Sequence, residues 1–113
     1  MKALKINSSV KLKSGLQTTP GAIVILTEGY ADIKSVKDAL IPCQIITSVF
    51  ASLQDLELGK APLQDIADFS PSFMGLKLSV DSYETLPTEA LLINAVKVEL
   101  EKIYPGEVEI ISI

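Results

Sequence analysis

The sequence predicts an α+β fold: a mostly antiparallel sheet, free to curl, with one long C-terminal amphipathic helix and one short helix, in a single domain over residues 1–113. Three observations predict it. The opening stretch "MKALKINSSVKLK" alternates apolar and polar residues with the period of a strand. The stretch "AIVIL" is apolar on both faces, as befits a strand in the middle of a sheet. Farther on, Ile93, Val96, Leu100 and Ile103 recur at spacings of three, four and three, the stripe of a helix laid on a sheet.

The first strand is expected over about residues 2–13. Leu4, Ile6, Val10 and Leu12 take one face; Lys5, Asn7, Ser9, Lys11 and Lys13 take the other. "SGLQTTPG" follows, punctuated by Ser14-Gly15 and Pro20-Gly21. It is longer than a two-residue hairpin turn, a length that suits a mobile connection or a contact surface. The second strand runs through "GAIVILTEGYADI", where Gly29 marks a bulge or bend. "KSVKDAL" reads as a helical turn or a polar connection. A third strand covers about 43–51, with Cys43, Ile45, Thr47, Val49 and Ala51 on one face. Pro42 suits only the start of that strand, because it has no N–H for the ladder.

"SLQDLELGK" is a short helix with legible ends. Ser52 is the N-cap, Asp55 stands where a capping-box acid would, and Gly59 is the C′ glycine. "APLQDIADFSPS" has no clear period, and a short strand at 64–69 is its candidate element. "FMGLKLSV" is a strand with Met74, Leu76, Leu78 and Val80 inward and Lys77 and Ser79 outward. In the next segment Asp81 or Ser82 caps a first turn with Glu84 as its third residue, and Pro87 suits the first turn of the main helix. Leu92 and Ala95 widen the helix's apolar stripe, while Asn94, Lys97 and Glu101 mark its wet side. Pro105-Gly106 ends the helix, and "EVEIISI" is a last strand with Val108, Ile110 and Ser112 on one face.

The composition narrows the function. A chain of 113 residues buries roughly 65% of its unfolded surface, enough for a core without metal or disulfide staples. The hydrophobic share is 48% and the mean hydropathy +0.37, which leaves apolar surface either for well-buried strands or for neighbours. Ten lysines face fourteen acids for a net charge of −4, and there is no arginine. That balance argues against direct nucleic-acid binding, which needs a positive field and favours the bidentate guanidinium. No leader is expected after the first lysines, and the unbroken apolar runs are too short to span a bilayer, so no membrane partner is expected.

Chemistry is scarce. The chain contains no histidine, the commonest general base and metal ligand. Cys43 is the sole cysteine and sits among apolar neighbours, so it reads as an inert buried thiol. Asp65 and Asp68 stand three apart, but "QDIADF" lacks the alternating ligands and distal Glu of a calcium loop, and they read as solvated acids. The six glycines are dispersed and make no phosphate-binding loop, and the three tyrosines form no stacking platform. No catalytic, cofactor-binding or metal site is expected, nor a small-molecule substrate.

Three stretches suggest a kinship of layout. They are "KINSSVKLKSGLQTTPGAIVIL", "IPCQIITSVFASLQDLELGKAPLQDIADF" and "LKLSVDSYETLPTEALLINAVKVELEKIYPGEVEIISI", which together cover most of the chain. In layout the chain resembles the small virion proteins of tailed bacteriophages, especially those of Bacteroidetes-type hosts. The resemblance carries no functional residue over. It implies a non-enzymatic structural subunit, in a neck, tail, baseplate or capsid-accessory position, that assembles with copies of itself and with other virion proteins. It places the chain in a virion built in the host cytoplasm. The alternative is a small cytoplasmic protein-binding or regulatory module.

On the subunit reading, the interface candidates are Lys5, Lys11 and Lys13 on the lysine face, Leu16, Gln17, Thr18 and Thr19 in the loop, and Ile111 and Ile113 in the last strand. The lysines either solvate an exposed face and guard an edge, or meet Asp55, Glu57, Asp65 and Asp68 of another copy.

Overall fold

A computed structural model describes residues 1–32, 34, 36–79 and 88–113. Five strands form one antiparallel sheet in the order β4-β3-β2-β1-β5. They are β1 (Lys2–Ile6), β2 (Ala22–Ala31), β3 (Leu40–Phe50), β4 (Ser72–Ser79) and β5 (Val108–Ser112). Helix α1 (Leu53–Glu57) follows β3, and helix α2 (Thr88–Glu101) lies between β4 and β5. The α+β architecture is as expected, and "AIVIL" does occupy the central strand. The helix expected to be long spans only 14 residues, and the expected last strand follows it.

The main core lies between the sheet and α2. Leu4 and Ile6 of β1, Val24 of β2, Ile45 and Val49 of β3 and Ile93, Val96 and Leu100 of α2 are all within 1% of complete burial. Burying each such side chain stabilises the fold by about 1.5–3 kcal/mol, the dominant favourable term. The other face of the sheet is partly covered by α1. Ser52 Oγ accepts the Asp55 N–H at 3.1 Å, and Gly59 at φ +71° follows the helix, so both ends match their expected residues.

Two bulges rearrange the faces. On β2, Leu26 pairs with Thr47 and Glu28 with Ile46, so Thr27 is the extra residue. Beyond it the alternation swaps, and Gly29, opposite the buried Ile45, faces α2. The interruption expected at Gly29 therefore falls two residues earlier. Gly29 is needed for another reason: a Cβ there would overlap Leu92 Cδ1 of α2. On β4, Cys43 pairs with Leu76 but Ile45 with Phe73, which leaves an extra residue at Met74-Gly75. Gly75 takes φ +72°, which an L side chain disfavours. The swap turns Phe73 inward and leaves Met74, expected inward, 64% exposed.

Other expectations are corrected. The first strand ends at Ile6 rather than near 13: after the Asn7 N–H bond to the Glu107 carbonyl, the backbone of Val10 bonds within its own loop and that of Lys11 and Lys13 bonds to residues 65–68. Strand β3 begins at Leu40, so Pro42 lies inside it. It is tolerated because β2 pairing ends at Ala31–Cys43, and beyond it the Pro42 carbonyl, which proline retains, accepts the Asp32 N–H at 2.9 Å. Ala51 lies just past the strand. The "KSVKDAL" segment ends in a hairpin turn: Lys37 and Leu40 exchange two 3.0 Å backbone bonds, and Asp38 and Ala39 both have positive φ, 54° and 59°. The expected strand at 64–69 reduces to a single bridge, Leu12 to Ile66. Ile103 falls beyond the end of α2 and is 41% exposed, and Tyr104 is buried in its place. The expectations for Val80, Asp81, Ser82, Glu84 and Pro87 lie outside the described residues.

Candidate functional site

The N-terminal loop is built by backbone bonds. Val10 is fully buried and anchors it. Thr18 donates its N–H to the Val10 carbonyl at 2.9 Å, and its Oγ1 accepts the Val10 N–H at 3.0 Å. Leu12 N bonds the Leu16 carbonyl at 2.8 Å, closing a tight turn over residues 13–15, and the Leu16 side chain at its base is 69% exposed. Gln17 bridges Lys11, and Thr19 is exposed.

A second segment holds the loop from the side. Lys13 N donates to the Asp65 carbonyl at 2.7 Å, Ala67 N to the Lys11 carbonyl at 2.8 Å, and Lys11 N to Asp68 Oδ2 at 3.0 Å. Tyr104 Oη donates to the same Asp68 oxygen at 2.7 Å. Burial, then the neighbouring Asp68 carboxylate, pushes the Tyr104 phenol well above its ordinary value. Asp68, expected as a solvated acid, is thus a structural acceptor shared by two donors. The lysine side chains at 11 and 13 extend into solvent while their backbone does the tying.

The remaining candidates lie on β1 and β5. Lys5 is half-buried, flanked by Ile23 of β2 and Glu109 of β5 in the sheet register. An open groove of about 460 Å³ runs beside it, lined by Ile23, Leu53 and Ile111. A second groove, about 400 Å³, lies between α1 and β5 and is lined by Met1, Leu53, Leu56 and Ile113 with Glu57. The loop candidates and the strand candidates therefore belong to two different surfaces. Of the acids expected to meet lysines from another copy, Asp55 is 3.5 Å from Lys60 and Asp68 is occupied within its own chain.

The edge of β5 was not among the expected residues beyond Ile111 and Ile113. Met1 and Ile113 exchange backbone bonds at 3.1 and 2.9 Å, and Asn7 N donates to the Glu107 carbonyl at 2.7 Å. With the strand period of two, Glu109 and Ile111 are the residues of β5 that bond to β1. Val108, Ile110 and Ser112 therefore point their N–H and C=O groups to the other side, where the sheet order places no strand among the described residues. Only knowledge of the strand order makes this edge visible, since the residues themselves are ordinary strand formers.

Among the described residues no three His, Cys, Asp or Glu side chains come together, and no buried side-chain nitrogen or oxygen lacks a partner. Cys43 is 5% exposed and burial pushes its thiol up, away from the reactive thiolate. No described helix is long and apolar enough to cross a membrane. Comparison of the chain with models of known protein families, with curated proteins and with solved structures finds no match.

Proposed function

We propose that this chain is a non-enzymatic structural subunit of a bacteriophage virion, assembling with copies of itself and with other virion proteins at the head–tail junction, tail or capsid. The observation that carries the reading is the open β5 edge, flanked by exposed apolar side chains. Ile110 is 41% exposed and Ile113 39%, and the backbone groups of Val108, Ile110 and Ser112 face away from the sheet. Soluble monomers usually blunt such an edge, whereas subunits of larger particles use it for strand addition. The absence of histidine and the burial of the sole cysteine fit an assembly role better than a catalytic one.

The groove lined by Met1, Leu53, Leu56 and Ile113 favours the second reading, a small protein-binding module that takes an apolar side chain there. Mass spectrometry of purified phage particles from cells producing the chain tests between them. A fixed copy number in the particle supports the virion reading. Recovery only in the soluble host fraction overturns it.

A further inference from the structure

We propose that β5 pairs antiparallel with β5 of a second copy across a twofold axis through Ile110, making one ten-stranded sheet from two chains. The inference rests on the reading above that the chain self-associates, and it names the surface and the register.

The two edges of the sheet are not equivalent. The β4 edge is interrupted by the bulge at Met74-Gly75, with Gly75 at φ +72°. Such a bulge twists an edge away from pairing. The β5 edge carries no bulge, and its register against β1 is continuous from Lys2–Ser112 to Ile6–Val108. Its outward backbone groups belong to Val108, Ile110 and Ser112.

These residues also fix the partner. In an antiparallel pair, residues directly opposite one another both bond across the junction or both bond inward. A twofold axis at Ile110 sets Ile110 against itself as a bonded pair and Val108 against Ser112, so every outward residue of the strand finds a matching one. It also sets Glu109 opposite Ile111 of the other copy, and removes from water the Ile110 side chain that is now 41% exposed. A register centred on Glu109 would set two glutamates face to face. One centred on Ile111 would leave Val108 without a partner inside the strand. Glu109 is itself opposite Lys5 of its own chain, which tempers the negative charge near the junction. A second copy fits this edge because the strand is complementary to itself in length, bonding pattern and charge.

The test is the mass of the purified chain by light scattering behind size exclusion, across concentration, for the native sequence and for Ile110→Pro. Proline at 110 deletes an N–H that faces away from β1, so the bonds through Glu109 and Ile111 persist. Ile110→Cys is the companion variant: opposed residues of a bonded pair have Cα atoms about 5.5 Å apart, within disulfide range. The expected result is a species of twice the 12.2 kDa chain mass, a folded monomer for Ile110→Pro by circular dichroism, and a disulfide-linked dimer for oxidised Ile110→Cys. A dimer or larger assembly that Ile110→Pro leaves intact, with no crosslink at 110, overturns the β5 interface while leaving the subunit reading in place. A native chain that stays monomeric at all concentrations overturns the interface and removes the self-association on which it rests. A β5 dimer absent from particles would instead overturn the virion reading alone.

Discussion

Tyr104 and Asp68 share a 2.7 Å hydrogen bond that joins the end of α2 to the segment between α1 and β4. The same Asp68 oxygen accepts the Lys11 N–H, so one carboxylate ties three parts of the chain that are distant in sequence. The Phe69 and Tyr104 rings meet edge to face with centroids 6.3 Å apart beside this bond. Tyr104→Phe removes one donor and leaves the Lys11 bond. It is expected to cost about 1–2 kcal/mol by urea denaturation, the range for a partly buried hydrogen bond to a charged acceptor.

The same contact sets an alkaline limit. The folded state holds the Tyr104 phenol above its ordinary value of 10.0, so the folded chain keeps a proton that the unfolded chain releases. Stability from this group is complete below pH 10 and is lost as pH rises from there toward the folded-state value. Denaturation midpoints measured from pH 8 to 11 should fall in the upper part of that window, and Tyr104→Phe should flatten the fall.

Gly29 of β2 and Leu92 of α2 approach so closely that no Cβ fits between them. Gly29→Ala places a methyl where Leu92 Cδ1 now lies, and is expected to cost about 1–3 kcal/mol through overpacking. Leu92→Ala in the same chain makes room. The double variant should therefore lose less than the sum of the single losses, which a double-mutant cycle reads directly. Additive losses would mean that the two residues do not meet.

The turn at Asp38-Ala39 holds an alanine at φ 59°. Asp38→Asn with Ala39→Gly supplies the pair that such a turn prefers. The expected gain is about 0.5–1 kcal/mol, seen as a rise in thermal midpoint of a few degrees.

Lys5 and Lys11 should respond differently to charge reversal. Lys5→Glu would face Glu109 across the β1–β5 pair and is expected to cost about 0.2–1 kcal/mol in stability. Lys11 is exposed and bonds through its backbone, so Lys11→Glu should stay within about 0.5 kcal/mol of the native chain. Equal losses at both positions would contradict the placement of Lys5 in the sheet.

Local signals determined much of this molecule. The apolar run of β2, the alternation of β3 and the capped ends of α1 were all legible, because each arises from neighbours within one turn or one strand. So was the α2 stripe as far as Leu100. The tertiary structure decided the rest. Alternation continues on paper through Val10 and Leu12, but β1 stops at Ile6, and the backbone of Lys11 and Lys13 bonds to residues 65–68 instead. Period-two counting misplaced Met74 because a bulge shifts the face by one residue, and a bulge exists only relative to a partner strand. Asp68 looked like a solvated acid because its donors, Tyr104 and the Lys11 N–H, lie 36 and 57 residues away. The same holds for the β5 edge: a strand's sequence says which side chains share a face, while its place in the sheet decides which backbone groups are left facing outward.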